Sequence, residues 1–272
     1  MEEVRLTDSL FKKFAEYFYK LTGISIKDYK KYLLESRLLK FVGSDKRFRD
    51  FETYYKALIS DKQGELVREF INTLTTNWTF FFREEVHFNF LKNYLKEKIN
   101  IEPYIRLWSA GCSTGEEAYS MAICCFEVLN NPFLYDLKIL ATDISLDVLK
   151  VAYQGVYHYN RMLKGSIEDR ILKKYFIFDK ENKDFIVKDE VKSLVSFRYL
   201  NLMDDYPFKK KFDVVFLRNV LIYFDNNEKE YILSKIFPYV KDGGYVILGL
   251  SESLVGISHP FKMLKNSIYQ KV

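Results

Sequence analysis

The run Ser109-Ala110-Gly111-Cys112-Ser113-Thr114-Gly115-Glu116-Glu117 has the residue types and spacing best suited to chemistry. Gly111 and Gly115 permit a close backbone approach where side chains would clash. A helix starting just after them offers unpaired amides to a ligand. No Lys-Ser/Thr follows Gly115, and the run is not GxGxxG, so a phosphate cradle is not supported. Glu116 and Glu117 satisfy the positive end of the helix. They also oppose a pyrophosphate and favour a cationic, ammonium-bearing ligand. Asp143, at the end of the next strand, is placed to hold two ribose hydroxyls or, with Ile144 and Ser145, to cap the helix that follows. A nucleoside with an amino-acid moiety and no pyrophosphate is S-adenosylmethionine; periodicity alone leaves a dinucleotide enzyme as a competitor. Arg218 closes the apolar run Val214–Leu217 and needs a partner or solvent there. Cys112 invites a nucleophile reading, but no histidine lies near it in sequence.

These residues need a scaffold that gathers loops. Ile105–Trp108 reads as a strand, 116–130 as a helix, Leu137–Asp143 as a strand and 146–153 as a helix. Phe212–Leu217 is another strand, followed by a helix over 228–238, the turn Lys241-Asp242-Gly243-Gly244 and the strand Tyr245–Leu250. This alternation predicts an α/β domain with a mostly parallel, doubly wound sheet. The stretch 175–199 breaks the rhythm. Tyr175–Asp179 and Phe185–Lys188 flank a polar turn, and Val195–Tyr199 supplies a third strand. Together they predict a small antiparallel β-subdomain inserted in the main domain, serving as lid, padding or partner dock.

Upstream, residues 8–75 read as helical. Thr7 or Asp8 caps the first helix, Leu10, Phe14, Phe18 and Leu21 give it an apolar stripe, and Thr22-Gly23 ends it. A second helix is expected over 28–42, with Leu34, Leu38 and Phe41 on one face and Gly43 beyond its end. Phe51, Tyr54, Tyr55 and Leu58 mark a third, and Leu66, Phe70, Ile71 and Leu74 a fourth. Such short helices must pack on one another or on a neighbour. The expected division is a helical domain over 1–75, a connecting segment over 76–103 and the α/β domain over 104–272, with 175–199 as its insertion.

Composition sets the outer limits. The 272 residues are 48% hydrophobic and 29% charged, which excludes a disordered or fibrous chain. With 24 Phe and 21 Tyr, the core should be aromatic. A net charge of +5 does not by itself imply nucleic acid. Cys112, Cys124 and Cys125 form no CxxC pair, which argues against a disulfide scaffold and a zinc or iron–sulfur centre. Only His87, His158 and His259 are available, too few for a histidine-rich metal site. The start MEEVRLTDSLFKKF lacks a secretory pattern. No apolar run approaches the roughly 18–20 residues of a membrane span, so a cytoplasmic protein without membrane insertion is expected.

Four further blocks carry a family likeness: Thr75-Thr76-Asn77-Trp78-Thr79-Phe80-Phe81-Phe82-Arg83-Glu84, Ser109–Glu117, Phe197-Arg198-Tyr199-Leu200-Asn201-Leu202, and Phe216-Leu217-Arg218-Asn219-Val220-Leu221-Ile222-Tyr223-Phe224. In this order, behind a small helical domain, they resemble the CheR-type protein-glutamate O-methyltransferases of bacterial chemotaxis. The resemblance spans nearly the whole chain. It implies S-adenosylmethionine as methyl donor, bound at the carboxyl ends of the strands under the interdomain segment, with S-adenosylhomocysteine as product and no metal. Carried onto this sequence, Asn77, Thr79 and Arg83 would touch the donor from that segment. Gly111 would line its turn, Glu117 would meet its ammonium end and Asp143 its ribose. Asn201 and Leu202 would lie by the adenine, and Arg218 and Asn219 would line the pocket. Tyr223 would lie near the methyl group, with Tyr223 and Arg83 as the catalytic pair. Each has a plainer alternative. Arg83 could pair with Glu84 or Glu85, Asn77, Thr79 and Asn201 could serve turns, and Tyr223 could be a core aromatic. The family also carries cysteine at the Cys112 position without using it as a nucleophile.

The implied reaction is methyl transfer to a glutamate carboxylate, which is already ionised near neutral pH and needs no general base. The implied partner is the cytoplasmic bundle of a methyl-accepting chemoreceptor. Residues 27–49 carry Lys27, Lys30, Lys31, Arg37, Lys40, Lys46, Arg47 and Arg49 against Asp28, Glu35 and Asp45, a basic face suited to an acidic bundle. A solvated helix face is the plainer reading. The local aromatics are spaced for helix packing, not as a base-stacking platform, so no nucleic-acid partner is expected. Ala118 replaces a proline frequent in the family, a change the helix start tolerates. Trp78 occupies a variable position. Members of the resembled family that dock onto a receptor's carboxyl-terminal pentapeptide tend to carry a longer, glycine-bearing loop; the turn Asp179–Lys183 is short and lacks glycine, so the resemblance implies direct recognition of the bundle instead. Any peptide that did bind would add as a strand at the hairpin edge.

Overall fold

The computed structural model describes residues 4–99, 101–102, 104–163 and 167–272; the expected boundary at residue 103 lies outside them. The chain begins with four helices: α1 (Asp8–Thr22), α2 (Lys31–Leu38), α3 (Phe51–Ile59) and α4 (Glu65–Leu74). Thr7 caps α1 by accepting from the Leu10 N–H, and Gly23 ends it in the left-handed conformation. Their apolar stripes meet around Phe14, whose ring lies 5.1–6.5 Å from Phe51, Tyr54, Tyr55 and Phe70. The expected helix over 28–42 is shorter than its pattern suggests. The Phe48 N–H donates to Phe41 O and the Gly43 N–H to Phe48 O, folding the chain back after Leu38. That turn sets Phe41 against Tyr54 at 5.2 Å, so a tertiary aromatic contact overrides the local helical period.

After α5 (Glu85–Lys98) come β1 (Tyr104–Ala110), α6 (Glu116–Leu129), β2 (Asp136–Asp143), α7 (Leu146–Gln154), β3 (Val156–His158), α8 (Tyr159–Met162), α9 (Asp169–Tyr175), β4 (Phe176–Asp179), β5 (Asp184–Val187), α10 (Asp189–Lys192), β6 (Val195–Tyr199), β7 (Phe212–Phe216), α11 (Asn226–Ile236), β8 (Val240–Ile247), β9 (Lys262–Met263) and β10 (Ile268–Gln270). The main sheet runs β6-β2-β1-β7-β8-β10-β9. Its first five strands are parallel, and β9 and β10 are antiparallel additions at one edge. Both faces are covered, as a parallel sheet requires. Leu107, Ile139, Val214 and Phe216 face α5 and α6, whereas Trp108, Val215, Leu217 and Val246 face α11.

Two expectations need correction. Val195–Tyr199 is not part of the inserted subdomain. It pairs in parallel with β2 as the edge strand of the main sheet, because its register places Val195 beside Ile139 in the core. The third strand of the small sheet is β3, so that sheet runs β3-β5-β4 and draws on residues from 156 onward. Secondly, Lys241-Asp242-Gly243-Gly244 is not a free turn but lies within β8, where the β7 register skips between Phe212 and Val214. The ladder absorbs the extra residues as an irregularity beside the two glycines.

One ion cluster ties α6 to α9. Glu127 accepts from Lys174 Nζ at 2.9 Å, and from Arg170 and the Tyr175 hydroxyl. Burial raises the Glu127 carboxyl, but those three donors outweigh it and hold it at about 2, against an ordinary 4.5. A depressed folded-state pKa means stability present above 4.5 and lost as pH falls toward 2. Glu127→Gln should therefore flatten the acid limb of a stability-against-pH curve between those values, read by urea unfolding. An unchanged limb would show that the cluster does not persist in solution.

Candidate active site

The chain passes from β1 outward to β2 and β6, then returns to β7 and proceeds to the other side through β8. The reversal between β1 and β7 opens a crevice at their carboxyl ends, the place where such sheets hold ligands. One cleft there is lined by all the residues that the resemblance assigned to the donor and the reaction: Asn77, Thr79, Arg83, Gly111, Glu117, Asp143, Asn201, Leu202, Arg218, Asn219 and Tyr223. Thr22 and Ile24 of the helical domain complete its wall.

Gly111 turns the chain out of β1 at φ +83°, and its N–H and that of Cys112 donate to Thr142 O at 2.8 and 2.9 Å. A Cβ on Gly111 would lie 2.5 Å from Val220 Cγ2, so the loops after β1 and β7 touch only because this residue is glycine. The turn also captures Asp143. Its carboxylate accepts from the Ser113 N–H at 2.8 Å and the Ser145 N–H at 2.9 Å. Ser145 caps α7, so the capping alternative belongs to that residue rather than to Asp143. Burial pushes the Asp143 carboxyl up, opposed by these amides. Each oxygen keeps acceptor capacity for a hydroxyl donor in the cleft.

The two acids opening α6 part company. Glu116 turns away from the cleft to Arg161 (2.6 Å) and Thr114 (2.7 Å). Glu117 faces the cleft, accepting from Ser109 Oγ at 2.6 Å and Arg218 Nη1 at 3.1 Å. Burial raises the Glu117 carboxyl and the Arg218 charge opposes it. Arg218 is the partnered residue its apolar setting demands. With its side chain 1% exposed, it reaches Glu117, Glu84 (3.2 Å) and the Arg83 carbonyl, and lies beside the contacting rings of Phe88 and Phe216.

Across the cleft, the segment joining the domains is pinned at several points. Asn77 O accepts from Ser113 Oγ at 3.1 Å and Trp78 O from Arg83 Nη1 at 3.1 Å. Arg83 therefore bonds within its own segment, with its guanidinium near the Phe80 ring, and not to Glu84 or Glu85. Asn201 gives its amide to both domains' architecture. Nδ2 donates to Leu21 O of the helical domain at 2.9 Å, and Oδ1 accepts from the Met203 N–H at 3.1 Å. Its side chain thus serves the joint and a local turn, while Asn201 and Leu202 both line the cleft wall. Tyr223 stands on a short turn after β7; burial raises its hydroxyl pKa, and hydrogen bonding to Thr76 opposes that.

Cys112 is buried, and burial followed by the Asp143 charge raises its thiol, the reverse of an activated nucleophile. No cluster of metal-ligating side chains occurs among the described residues. No helix among them is long and apolar enough to cross a membrane. Two participants were not predicted: Glu84 and Glu252. Glu84 takes Arg218, the Asn219 side-chain amide and the Leu250 N–H, and these hold its carboxyl below the ordinary range despite burial. Glu252 binds the loop after β7 from beneath. Glu84 lay inside a recognised block; Glu252 carried no comparable sequence signal.

Residues 9–75 match the family model described as the CheR methyltransferase all-alpha domain, and residues 77–270 match its SAM-binding domain. The chain is 38% identical to a chemotaxis protein methyltransferase of Borreliella burgdorferi, over 93% of this chain and 91% of that one. It is 34% identical to one from Vibrio anguillarum, over 97% and 96%. It is 36% identical to chemotaxis protein methyltransferase Cher2 of Pseudomonas putida, over 96% and 97%. Two matched domains in the same order, with relatives of this identity along nearly their whole lengths, place the chain in the CheR family of S-adenosylmethionine-dependent chemotaxis protein methyltransferases.

Proposed function

We propose that this chain methylates glutamate side chains on the cytoplasmic helical bundle of a chemoreceptor, forming glutamate methyl esters and S-adenosylhomocysteine. The observation that carries the reading is the single cleft in which Asp143, Glu117, Arg83 and Tyr223 converge between the sheet and the helical domain. When bound, S-adenosylmethionine supplies the methyl group and its own sulfonium leaving group. The residues present fit that donor. Asp143 is a buried acceptor suited to ribose hydroxyls, and Glu117 is a buried carboxylate whose desolvation an ammonium group would offset. Asn77 and Thr79 wall one side, and Leu202 the apolar side suited to a base.

The acceptor carboxylate needs no base, only orientation and partial loss of water. Tyr223 keeps its proton at neutral pH and is available to donate to the carboxylate oxygen that does not react. Arg83 supplies a positive charge at the same wall, where its guanidinium is hydrogen-bonded to the Trp78 carbonyl rather than gripped in a close carboxylate pair among the described residues. That matters because the acceptor's charge disappears during transfer, and strong pairing in the ground state would oppose the reaction.

The helical domain is the proposed receptor-facing part, acting in the cytoplasm. Its basic face is weaker than the count of charges in 27–49 suggests. Lys27 pairs with Asp225, Lys31 with Asp8 and Arg47 with Glu69, and Arg37 donates to the Leu74 carbonyl and Thr76. A smaller positive surplus remains, including Lys30 and Lys40 beside the rings of Tyr29 and Phe41. It steers an acidic bundle more than it binds it. The short turn after β4 supports recognition without a tethered tail peptide.

Labelled methyl should pass from S-adenosylmethionine into the cytoplasmic fragment of a cognate receptor and be released by mild base. Base-stable label would exclude a glutamate ester. Asp143→Asn should weaken S-adenosylmethionine binding about ten- to a hundredfold, since hydrogen bonds to a charged group are worth about 1.5–3 kcal/mol; unchanged affinity by calorimetry would remove the ribose role. Arg83→Ala should lower turnover about a hundredfold, the scale of losing one charge-stabilising group, with the melting temperature preserved. A normal rate would take Arg83 out of the reaction.

A further inference from the structure

The loop after β7 carries Arg218, Asn219 and Tyr223, yet it belongs to no long element. Its backbone is bent: Asn219 has φ +58°, in the left-handed region that asparagine enters more readily than other non-glycine residues. The bonding comes from Glu252. One carboxylate oxygen accepts from the N–H groups of Asn219 and Gly249, both at 2.7 Å, and the other from the Ile222 N–H at 3.2 Å. Ile222 directly precedes Tyr223 in the turn Leu221–Tyr223. Gly249 leaves room for this: a Cβ there would lie 2.3 Å from Asn219 Nδ2 and 3.0 Å from Glu252 Oε2.

We propose that Glu252 is a positioning residue for methyl transfer, fixing the Asn219–Tyr223 loop so that the Tyr223 hydroxyl meets the acceptor carboxylate. The inference rests on the role given to Tyr223 above. Glu252 is a buried carboxylate bonded through backbone N–H groups, a costly arrangement for packing alone. Three N–H donors aimed at it orient a rigid loop in a way no neutral side chain reproduces. A carboxylate is acceptor-only at all its lone pairs, whereas an amide would point a second donor at one of these N–H groups. Glu84 acts from the opposite side on the Asn219 side chain, at 3.3 Å, so the loop is clamped between two carboxylates. Of these two carboxylates, Glu252 is the one that reaches Ile222, and through it the turn that presents Tyr223.

The test is a double-mutant cycle in the full chain. Single variants Glu252→Gln and Tyr223→Phe and the double variant are assayed for receptor methylation, with S-adenosylmethionine affinity by calorimetry and melting temperature alongside. Each single change should lower kcat about tenfold, with donor affinity altered less than threefold. Glu252→Gln should add little in the Tyr223→Phe background, because its effect runs through that hydroxyl. Glu252→Asp keeps the charge but is one methylene too short to span Asn219 and Ile222, and should give an intermediate loss; it also serves if the glutamine variant does not fold. Multiplicative losses in the double variant, or loss of donor binding matching the loss of rate, would overturn the role of Glu252 while leaving Tyr223 in place. A Tyr223→Phe variant with the parent rate would instead overturn the reading of Tyr223, and this inference with it.

Discussion

Arg218 brings a full positive charge to the end of a strand whose every residue is buried, and its neutralisation organises the carboxyl edge of the sheet. A guanidinium with its side chain 1% exposed must be paired almost completely. It takes Glu117 from the helix after β1, Glu84 from the segment after the helical domain, and the Arg83 carbonyl. Three stretches distant in sequence are thereby fixed to one point. The contacting rings of Phe88 and Phe216 cover one side of the guanidinium, and its burial strengthens those attractions. Removing Arg218 would leave two carboxylates facing each other across the same space.

The second constraint is topological. The parallel pairing of β1 with both β2 and β7 forces their following loops onto one edge, with the crossover reversing between β1 and β7. Gly111 lets those loops touch, and Asp143 is drawn into the turn by the Ser113 amide. The helical domain closes the remaining side through Asn201 to Leu21 and Lys27 to Asp225. Gly23, ending α1, packs so closely on Met203 that an added Cβ would lie 2.7 Å from its side chain. The cleft is therefore a product of two domains meeting, and their joint is a condition of its shape.

Much of this was legible in the sequence. The period of Leu10, Phe14 and Phe18 marks α1, and the apolar runs Ile105–Trp108, Leu137–Asp143 and Phe212–Leu217 mark strands whose following loops reach the cleft. All the named site residues lie on that one cleft. What was not legible depends on long-range pairing. Val195–Tyr199 has the same alternating character as a hairpin strand, and only its register beside β2 assigns it to the main sheet. The helix expected to reach residue 42 stops at Leu38 because Phe41 is needed on Tyr54. Glu116 and Glu117 are neighbours of identical type, and their distant partners, Arg161 for one and Arg218 for the other, separate their roles. Asn201 reads as a cleft residue, yet its amide is spent on a carbonyl of the other domain, 180 positions away.

The distribution of titratable groups fits the proposed chemistry. A reaction needing a general base would call for a group poised near neutrality in the cleft. His87 is buried instead, with Nε2 bonded to the Asn266 carbonyl at 2.7 Å, and burial followed by the Arg218 charge pushes its pKa down. It backs the Glu84–Arg218 pair and does not line the cleft. The carboxylates are acceptors held by amides or by Arg218, and the thiol of Cys112 is kept neutral. What remains among the titratable side chains lining the cleft is a tyrosine hydroxyl, two arginines and two buried acids. That set can bind, orient and partly desolvate an acceptor. An acceptor already ionised at neutral pH, as in the proposed reaction, asks no more of the site than that.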